Sequence, residues 1–180
     1  MITEARFIPI TPKKIPENFF SLIEKLSDTS KYLIYRIDVI NFSLEHWNRT
    51  KEIYGNKGGK VILNSRLRDN ISNHEYLHLT SRDLIKTEQL SSFITGASCH
   101  NIEEVTKAAQ LKLDYIFISP VKNVANKSPA LGWEDFSYLA KLFPGPSFAL
   151  GGMKQEDLKI AKDNGAQGIA GISEFFQSSE

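Results

Sequence analysis

Short apolar runs alternate with amphipathic or polar segments along the chain. Eight of these runs are rich in Ile, Leu, Val, Tyr and Phe and stop at a polar or turn-forming residue, which predicts buried strands. The predicted strands cover residues 5–11, 32–40, 60–64, 75–79, 93–97, 114–119, 148–150 and 168–172. Seven helical or short connecting segments separate them, so the pattern predicts a sheet of parallel strands.

The C-terminal segment shows this alternation most clearly. Residues 148–150 are followed by Gly151 and Gly152, then by an amphipathic segment at 154–164 and a strand at 168–172. A strand, a helix and a strand within about 25 residues predict a right-handed crossover. Glycine amides and a serine at a helix start present N–H donors, so both strand ends are candidates for anion binding. A tight turn also needs glycine when it binds nothing, and the pattern alone leaves that alternative open.

Eight strands are the number found in a closed (β/α)8 barrel. The chain has 180 residues, whereas about 250 are typical of that fold, so several helices must be short. We therefore predict an α/β protein, a compact (β/α)8 TIM barrel with shortened helices, as a single domain over residues 1–180. An open doubly wound sheet is the alternative, but no predicted strand is followed by the Gly-x-Gly-x-x-Gly sequence of its nucleotide-binding members.

The composition is that of an ordinary globular domain, with 41% hydrophobic and 24% charged residues. A formal net charge of +1, with basic residues scattered along the chain, gives no electrostatic reason to bind nucleic acid or an acidic membrane. The N-terminus has no apolar run long enough for a signal peptide or a membrane helix. Cys99 is the single cysteine and cannot form an internal disulfide. We therefore expect a cytoplasmic protein.

The chemistry of such a barrel lies where its strands end, at the C-terminal face. The residues at these positions favour a phosphate ligand, because Arg and Lys supply charge, Asn and Ser supply hydrogen bonds, and Gly exposes backbone donors. The candidates are Arg36, Asn64, Ser98, Lys127, Gly151, Gly152, Ile172 and Ser173.

Several other polar residues near the predicted strand ends have more than one interpretation. Asp83 has the chemistry to hold a divalent cation that bridges phosphate oxygens, and also that of a helix cap. Arg36 and Asp38 alternate along a predicted strand and share a face, where they either meet a ligand or form an ion pair. His100 follows the fifth strand and is expected near the site, whereas His78 lies within a strand and is expected to be a core residue.

Five segments of the chain resemble the thiamine phosphate synthase/TenI family. They read Gly-Ala-Ser-Cys-His, Leu-Asp-Tyr-Ile-Phe-Ile-Ser-Pro-Val, Leu-Gly-Trp-Glu-Asp-Phe, Phe-Ala-Leu-Gly-Gly-Met and Gly-Ala-Gln-Gly-Ile-Ala-Gly-Ile-Ser, and the likeness is continuous from about Ile94 to Ile172. The resemblance implies a (β/α)8 barrel that joins a hydroxymethylpyrimidine diphosphate to a thiazole phosphate and releases pyrophosphate, with Mg²⁺ as cofactor. It thus implies small phosphorylated thiamine precursors as ligands, and a dissociative step through a pyrimidinyl-methyl cation.

The resemblance also implies roles for single residues. Arg36 and Lys127 match residues that contact pyrophosphate, and Asn64 matches the first residue of the family's Asn-Asp pair. Ser98 matches the serine of Gly-x-Ser, and Asp83 matches a metal-binding aspartate.

The chain matches all of the family's site for the thiazole phosphate but only part of its site for the pyrophosphate and metal. The family's backbone cradle for the thiazole phosphate is matched by Gly152, Ile172 and Ser173. The chain departs from the family on the pyrophosphate and metal side, where a lysine is Asp38, an aspartate is Ser65, and two threonines are Val124 and Asn126.

These departures leave three functions open. Asp38 would repel a pyrophosphate, and the loss of one metal carboxylate weakens the cation that would compensate. The alternatives to the synthase reaction are a non-catalytic or degenerate TenI-like phosphate-ligand binder and a thiazole tautomerase-like isomerase. The isomerase needs only the phosphate cradle, but the histidine of that branch is Pro120 here.

Exposed apolar residues on shortened helices would be covered if barrels paired as a homo-oligomer.

Overall fold

The structure is a computed structural model that describes residues 2–71, 74–90, 94–125 and 129–176. Within these ranges, eight strands alternate with six α-helices. The strands are β1 (Phe7–Pro9), β2 (Tyr32–Tyr35), β3 (Lys60–Asn64), β4 (Tyr76–Leu79), β5 (Ile94–Cys99), β6 (Tyr115–Ile118), β7 (Ser147–Ala149) and β8 (Gly168–Gly171). The helices are α1 (Phe19–Thr29), α2 (Leu44–Asn56), α3 (Ser81–Lys86), α4 (Ile102–Gln110), α5 (Gly132–Leu142) and α6 (Leu158–Asp163).

All neighbouring strands are parallel, in the order β1-β8-β7-β6-β5-β4-β3-β2. An isolated parallel bridge between Ile10 and Ile34 joins the two outer strands, so the barrel is nearly closed. The helices α3 and α6 have six residues each, and β3 is followed by a 3₁₀ segment, Ser65–Asn70. The predicted (β/α)8 barrel with shortened helices is therefore confirmed.

The second strand is shorter than its apolar pattern predicted. It ends at Tyr35 rather than at residue 40, and Val39–Asn41 forms a 3₁₀ turn. The backbone N–H of Arg36 donates to Thr11 Oγ1 at 2.7 Å, and that of Asp38 donates to Lys13 O at 2.9 Å. These amides bond the loop after β1 and not a neighbouring strand, so the expectation that Arg36 and Asp38 share a strand face is wrong.

The fifth strand extends further than its apolar pattern predicted. It continues to Cys99, two residues beyond the predicted end, because Ser98 and Cys99 stay in register with β6. Phe93, where this strand was predicted to begin, lies outside the described residues. The extension carries the Ser98 side chain to the end of the barrel where the strands stop.

Aromatic side chains fill the inside of the barrel. Tyr115, Phe117 and Phe148 are fully buried, and the ring centroids of Phe117 and Phe148 lie 5.9 Å apart. Gly96 faces Tyr115, whose ring occupies the place that a Cβ atom on Gly96 would take. Two further clusters lie between the sheet and the helices. No helix in the described ranges is both long and apolar enough to cross a membrane.

Candidate functional site

A cavity of about 390 Å³ opens at the C-terminal ends of the strands. Seven of the residues selected from the sequence line it: Arg36, Asn64, Ser98, Gly151, Gly152, Ile172 and Ser173. Asp83 is not a lining residue but accepts a hydrogen bond from Thr80, which is one, and Lys127 lies outside the described residues. The barrel thus brings together residues that are up to 137 positions apart, from Arg36 to Ser173.

The loop after β7 has a backbone that requires glycine. Gly151 and Gly152 have φ angles of 97° and 67°, in the left-handed region that other residues rarely adopt. A Cβ atom on Gly151 would lie 2.7 Å from Pro120 Cα. The backbone N–H of Lys122 donates to Gly151 O at 3.1 Å, so the loops after β6 and β7 are held together. With the exposed Ser173 after β8, this loop forms the glycine cradle (Gly151, Gly152, Ile172 and Ser173) of the cavity.

Two guanidinium groups lie at the other side of the lining, after β2 and β3. Burial lowers the pKa of Arg36, the charge of Arg66 lowers it further, and Asp38 partly offsets both. The cavity therefore has a positive potential where these strands end. Arg66 is not among the residues predicted from the sequence, although its position two residues after the end of β3 could have indicated it.

Asp83 is part of a helix cap. Its backbone N–H donates to Thr80 Oγ1 at 3.2 Å, while Thr80 Oγ1 donates at 2.8 Å to Asp83 Oδ2, which also accepts a hydrogen bond from Ser65 Oγ. Burial alone would raise the pKa of Asp83, but the hydrogen bonds from Ser65 and Thr80 and the charges of Arg68 and Lys86 lower it on balance.

The described residues do not fit a metal held by several protein carboxylates. No group of three His, Cys, Asp or Glu side chains comes together in the part of the chain that the structure describes. The hydroxyl of Ser65 stands beside Asp83 and donates to it, where a second carboxylate would offer an acceptor. Asp83 as a metal ligand stays a prediction.

His78 connects the cavity to the barrel interior. It is 2% exposed, its Nε2 lies 2.9 Å from Ser98 Oγ, and its Nδ1 lies 3.0 Å from the hydroxyl of Tyr115. Burial, followed by the charge of Arg36, lowers the pKa of His78 to about 3. The imidazole is therefore neutral at physiological pH. The expectation that His78 is a core residue with satisfied hydrogen bonds is confirmed, but it also lines the cavity.

His100 and Cys99, adjacent in sequence, differ in exposure. The exposed His100 lines the cavity, and its Nδ1 donates to Ser119 O at 2.6 Å, because a carbonyl oxygen can only accept. Cys99 is buried, and burial together with the charge of Glu104 raises the pKa of its thiol. The thiol is therefore protonated at neutral pH and is poorly suited to act as a nucleophile.

The family model described as thiamine monophosphate synthase matches residues 7–175. A thiamine-phosphate synthase of Prochlorococcus marinus (strain AS9601) is 35% identical over 127 residues, which are 66% of this chain and 36% of that protein. A thiamine-phosphate synthase of Syntrophomonas wolfei is 34% identical over 90 residues, 48% of this chain and 43% of that protein. The aligned regions therefore span less than half of each of these two relatives.

Two other relatives match over nearly the whole chain. A protein of Aquifex aeolicus (strain VF5), provisionally named thiamine-phosphate synthase 2, is 27% identical over 174 residues, 92% of this chain and 94% of that protein. The solved structure of thiamine phosphate pyrophosphorylase from Pyrococcus furiosus has a TM-score of 0.78 and 19% identity, and the match covers 95% of this chain and 87% of that one. That structure supports the fold alone, but the match to the family model covers nearly all of the barrel. The chain belongs to the thiamine monophosphate synthase/TenI family.

Proposed function

We propose that this chain joins a hydroxymethylpyrimidine diphosphate to a thiazole phosphate and releases pyrophosphate. The observation that carries the proposal is that one cavity is lined by two separate groups of residues whose chemistry suits anions. Arg36 and Arg66 follow β2 and β3, and the glycine cradle follows β7 and β8. Two anion sites in one cavity suit a reaction between two phosphorylated substrates.

The glycine cradle suits the thiazole phosphate. The positive φ angles of Gly151 and Gly152 turn the backbone of this loop, and the absence of side chains allows a phosphate to approach the backbone closely. Ser173, exposed after β8, adds a hydroxyl and a backbone N–H at the same edge. These residues therefore hold one substrate in place through its phosphate.

The arginine side suits the pyrophosphate that leaves. As the bond between the pyrimidinyl-methyl carbon and the pyrophosphate oxygen breaks, negative charge grows on the leaving group, and Arg36 and Arg66 stabilise it. The thiazole nitrogen then donates its electron pair to the pyrimidinyl-methyl cation and forms the new carbon–nitrogen bond. Ile10, Ile34 and Leu150 line the same cavity and keep water from the cation. Lys127 remains a predicted further contact with pyrophosphate.

Incubation of the protein with both substrates, followed by measurement of thiamine phosphate and pyrophosphate, tests the proposal. Arg36→Gln should reduce the rate by about 100-fold, since it removes a charged contact with the leaving group. Arg82→Gln is the matched control, because Arg82 is an exposed arginine of α3 outside the cavity lining. The absence of product from the wild-type protein, with both substrates shown to bind, would overturn the synthase proposal.

A phosphate-ligand binder without turnover is the second candidate. It is favoured by Asp38 beside Arg36, which weakens the attraction for pyrophosphate, and by Ser65 beside Asp83. A thiazole tautomerase-like isomerase has weaker support, because Pro120 lines the cavity at the position of that branch's histidine. Binding of thiazole phosphate without thiamine phosphate formation would favour the binder. Each of these functions concerns phosphorylated thiamine precursors and agrees with the cytoplasmic location expected from the sequence.

A further inference from the structure

The Tyr115, His78 and Ser98 side chains form a chain of hydrogen bonds whose direction can be determined. Tyr115 is fully buried, and His78 Nδ1 is the one hydrogen-bond partner of its hydroxyl among the described residues. A buried O–H that donates to nothing is costly, whereas a hydroxyl oxygen that accepts nothing costs much less. Tyr115 therefore donates its proton to His78 Nδ1.

This direction fixes the tautomer of His78. The imidazole is neutral, because burial and Arg36 lower its pKa to about 3. A neutral imidazole whose Nδ1 accepts a hydrogen bond carries its proton on Nε2. The Nε2–H therefore donates to Ser98 Oγ, 2.9 Å away.

We infer that Ser98 is a hydrogen-bond donor to the ligand, with His78 and Tyr115 as positioning residues that keep its proton directed into the cavity. Ser98 Oγ already accepts from His78, and it has no other hydrogen bond to a described residue. Its own proton is thus available to the cavity that it lines. A group that only accepts hydrogen bonds suits this position, and a phosphoryl oxygen is such a group. This ligand class rests on the proposed function.

The same direction argues against a nucleophilic role for Ser98. A histidine that activates a serine must accept the hydroxyl proton, so the nitrogen that faces the serine has to be unprotonated. Here the nitrogen that faces Ser98 carries the proton, and the low pKa of His78 makes it a weak base. A serine-reactive fluorophosphonate should therefore leave Ser98 unlabelled, and labelling that Ser98→Ala abolishes would overturn the inferred direction.

Nitrogen NMR of ¹⁵N-labelled protein tests the tautomer directly. His78 should show the Nε2–H form, in which Nδ1 accepts from Tyr115 and Nε2 donates to Ser98. The variant His78→Gln identifies its signals among those of the four histidines. An Nδ1–H form or an imidazolium at His78 at neutral pH would overturn the inference. This result does not depend on whether the protein has synthase activity.

Binding of inorganic pyrophosphate, measured by calorimetry, tests the link to the ligand. Ser98→Ala should weaken binding about tenfold or more, as expected for a lost hydrogen bond to a charged group. Tyr115→Phe leaves the cavity lining intact and should weaken pyrophosphate binding several-fold. It should have no further effect on binding when Ser98 is already Ala. Equal effects of Tyr115→Phe in both backgrounds would show a structural role and overturn the positioning role.

His78→Gln provides a conservative rescue. A glutamine amide offers an N–H to Ser98 and an oxygen to Tyr115, so this variant should keep most of the pyrophosphate affinity, whereas His78→Leu should lose as much as Ser98→Ala. Equal affinity of the Gln and Leu variants, both folded by circular dichroism, would overturn the positioning role of His78. If wild-type protein does not bind pyrophosphate, the ligand assigned to Ser98 is wrong, and the NMR result still decides the direction of the hydrogen bonds.

Discussion

Lys122 and Asp157 form an ion pair that joins the loops after β6 and β7. Lys122 Nζ lies 2.7 Å from both carboxylate oxygens of Asp157, and Asp157 Oδ2 also accepts from the backbone N–H of Lys154 at 2.8 Å. Burial alone would raise the pKa of Asp157, but the hydrogen bonds from Lys122 and Lys154 lower it on balance. Since Gly151 and Gly152 belong to the loop after β7, which this ion pair ties to the loop after β6, the pair supports the glycine cradle.

Asp157→Asn should destabilise the protein and weaken the binding of thiazole phosphate. The free energy of unfolding should fall by about 1–2 kcal/mol, because a hydrogen-bonded charge pair loses one charge and Lys122 is partly exposed. Urea denaturation and calorimetry measure the two effects. Asp163→Asn is the control, since Asp163 forms an exposed pair with Lys159 at 3.0 Å and should change stability by less than about 0.5 kcal/mol. A similar loss in both variants would contradict the supporting role of Asp157.

Gly152→Asp should abolish the binding of thiazole phosphate. It places a negative side chain in the cavity and strains a residue with a φ of 67°. Gly165→Asp is a matched control, because Gly165 has a φ of 91° and open space around it, and lies outside the cavity lining. Both variants should lose stability, and the affinity of Gly165→Asp should be unchanged. Unchanged affinity in Gly152→Asp would mean that the cradle is wrongly assigned.

The barrel could be predicted from the sequence because its strands are continuous apolar runs that stop at polar residues. β3, predicted at residues 60–64, is Lys60–Asn64 in the structure. β2 was predicted too long because the apolar residues Val39 and Ile40 continue its pattern, although they are exposed in a 3₁₀ turn. An apolar pattern does not reveal that the neighbouring backbone bonds a loop instead of a strand.

The site could be predicted less completely, because two of its features depend on contacts between distant strands. His78 looks like a core histidine in the sequence, and its contacts with Ser98 and Tyr115 join residues 20 and 37 positions apart. Arg66 belongs to a polar segment without regular periodicity. It reaches the cavity, beside Arg36, only because the folded barrel brings the ends of β2 and β3 together. In contrast, Gly151 and Gly152 could be selected because their local conformation requires glycine.

Asp83→Asn should reduce stability in a pH-dependent manner. The hydrogen bonds from Ser65 and Thr80 lower the pKa of Asp83 in the folded state, so its carboxylate stabilises the protein above the unfolded pKa of about 4. The stabilisation is lost as the pH falls through the lower folded value. The free energy of unfolding of the wild type should therefore be about 1 kcal/mol larger than that of the variant at pH 7. This difference should shrink below about pH 4.

Denaturation of both proteins at several pH values measures this difference. Asp69→Asn is the control, because Asp69 has a 95% exposed side chain that lies 3.8 Å from Arg68, and its substitution should change little at any pH. A difference between wild type and Asp83→Asn that persists unchanged to pH 2 would contradict the role of the charged carboxylate.

The double variant Asp38→Lys with Ser65→Asp should raise the rate of thiamine phosphate formation by about tenfold or more. Asp38→Lys replaces a repulsive charge near Arg36 by an attractive one. Ser65→Asp places a second carboxylate beside Asp83, and two adjacent carboxylates repel each other unless a cation lies between them. The variant should therefore lose stability without Mg²⁺ and regain it when Mg²⁺ is added, as thermal denaturation measures.

Single variants separate the two effects. Ser65→Asp alone should acquire the response to Mg²⁺, whereas Asp38→Lys alone should bind pyrophosphate more tightly with no change in that response. Asp69→Lys makes the same change in net charge on an exposed side chain and should alter neither property. If the double variant shows neither a higher rate nor a response to Mg²⁺, residues 38 and 65 do not contact the reacting groups, and the cavity then holds its ligands through the arginines and the glycine cradle alone.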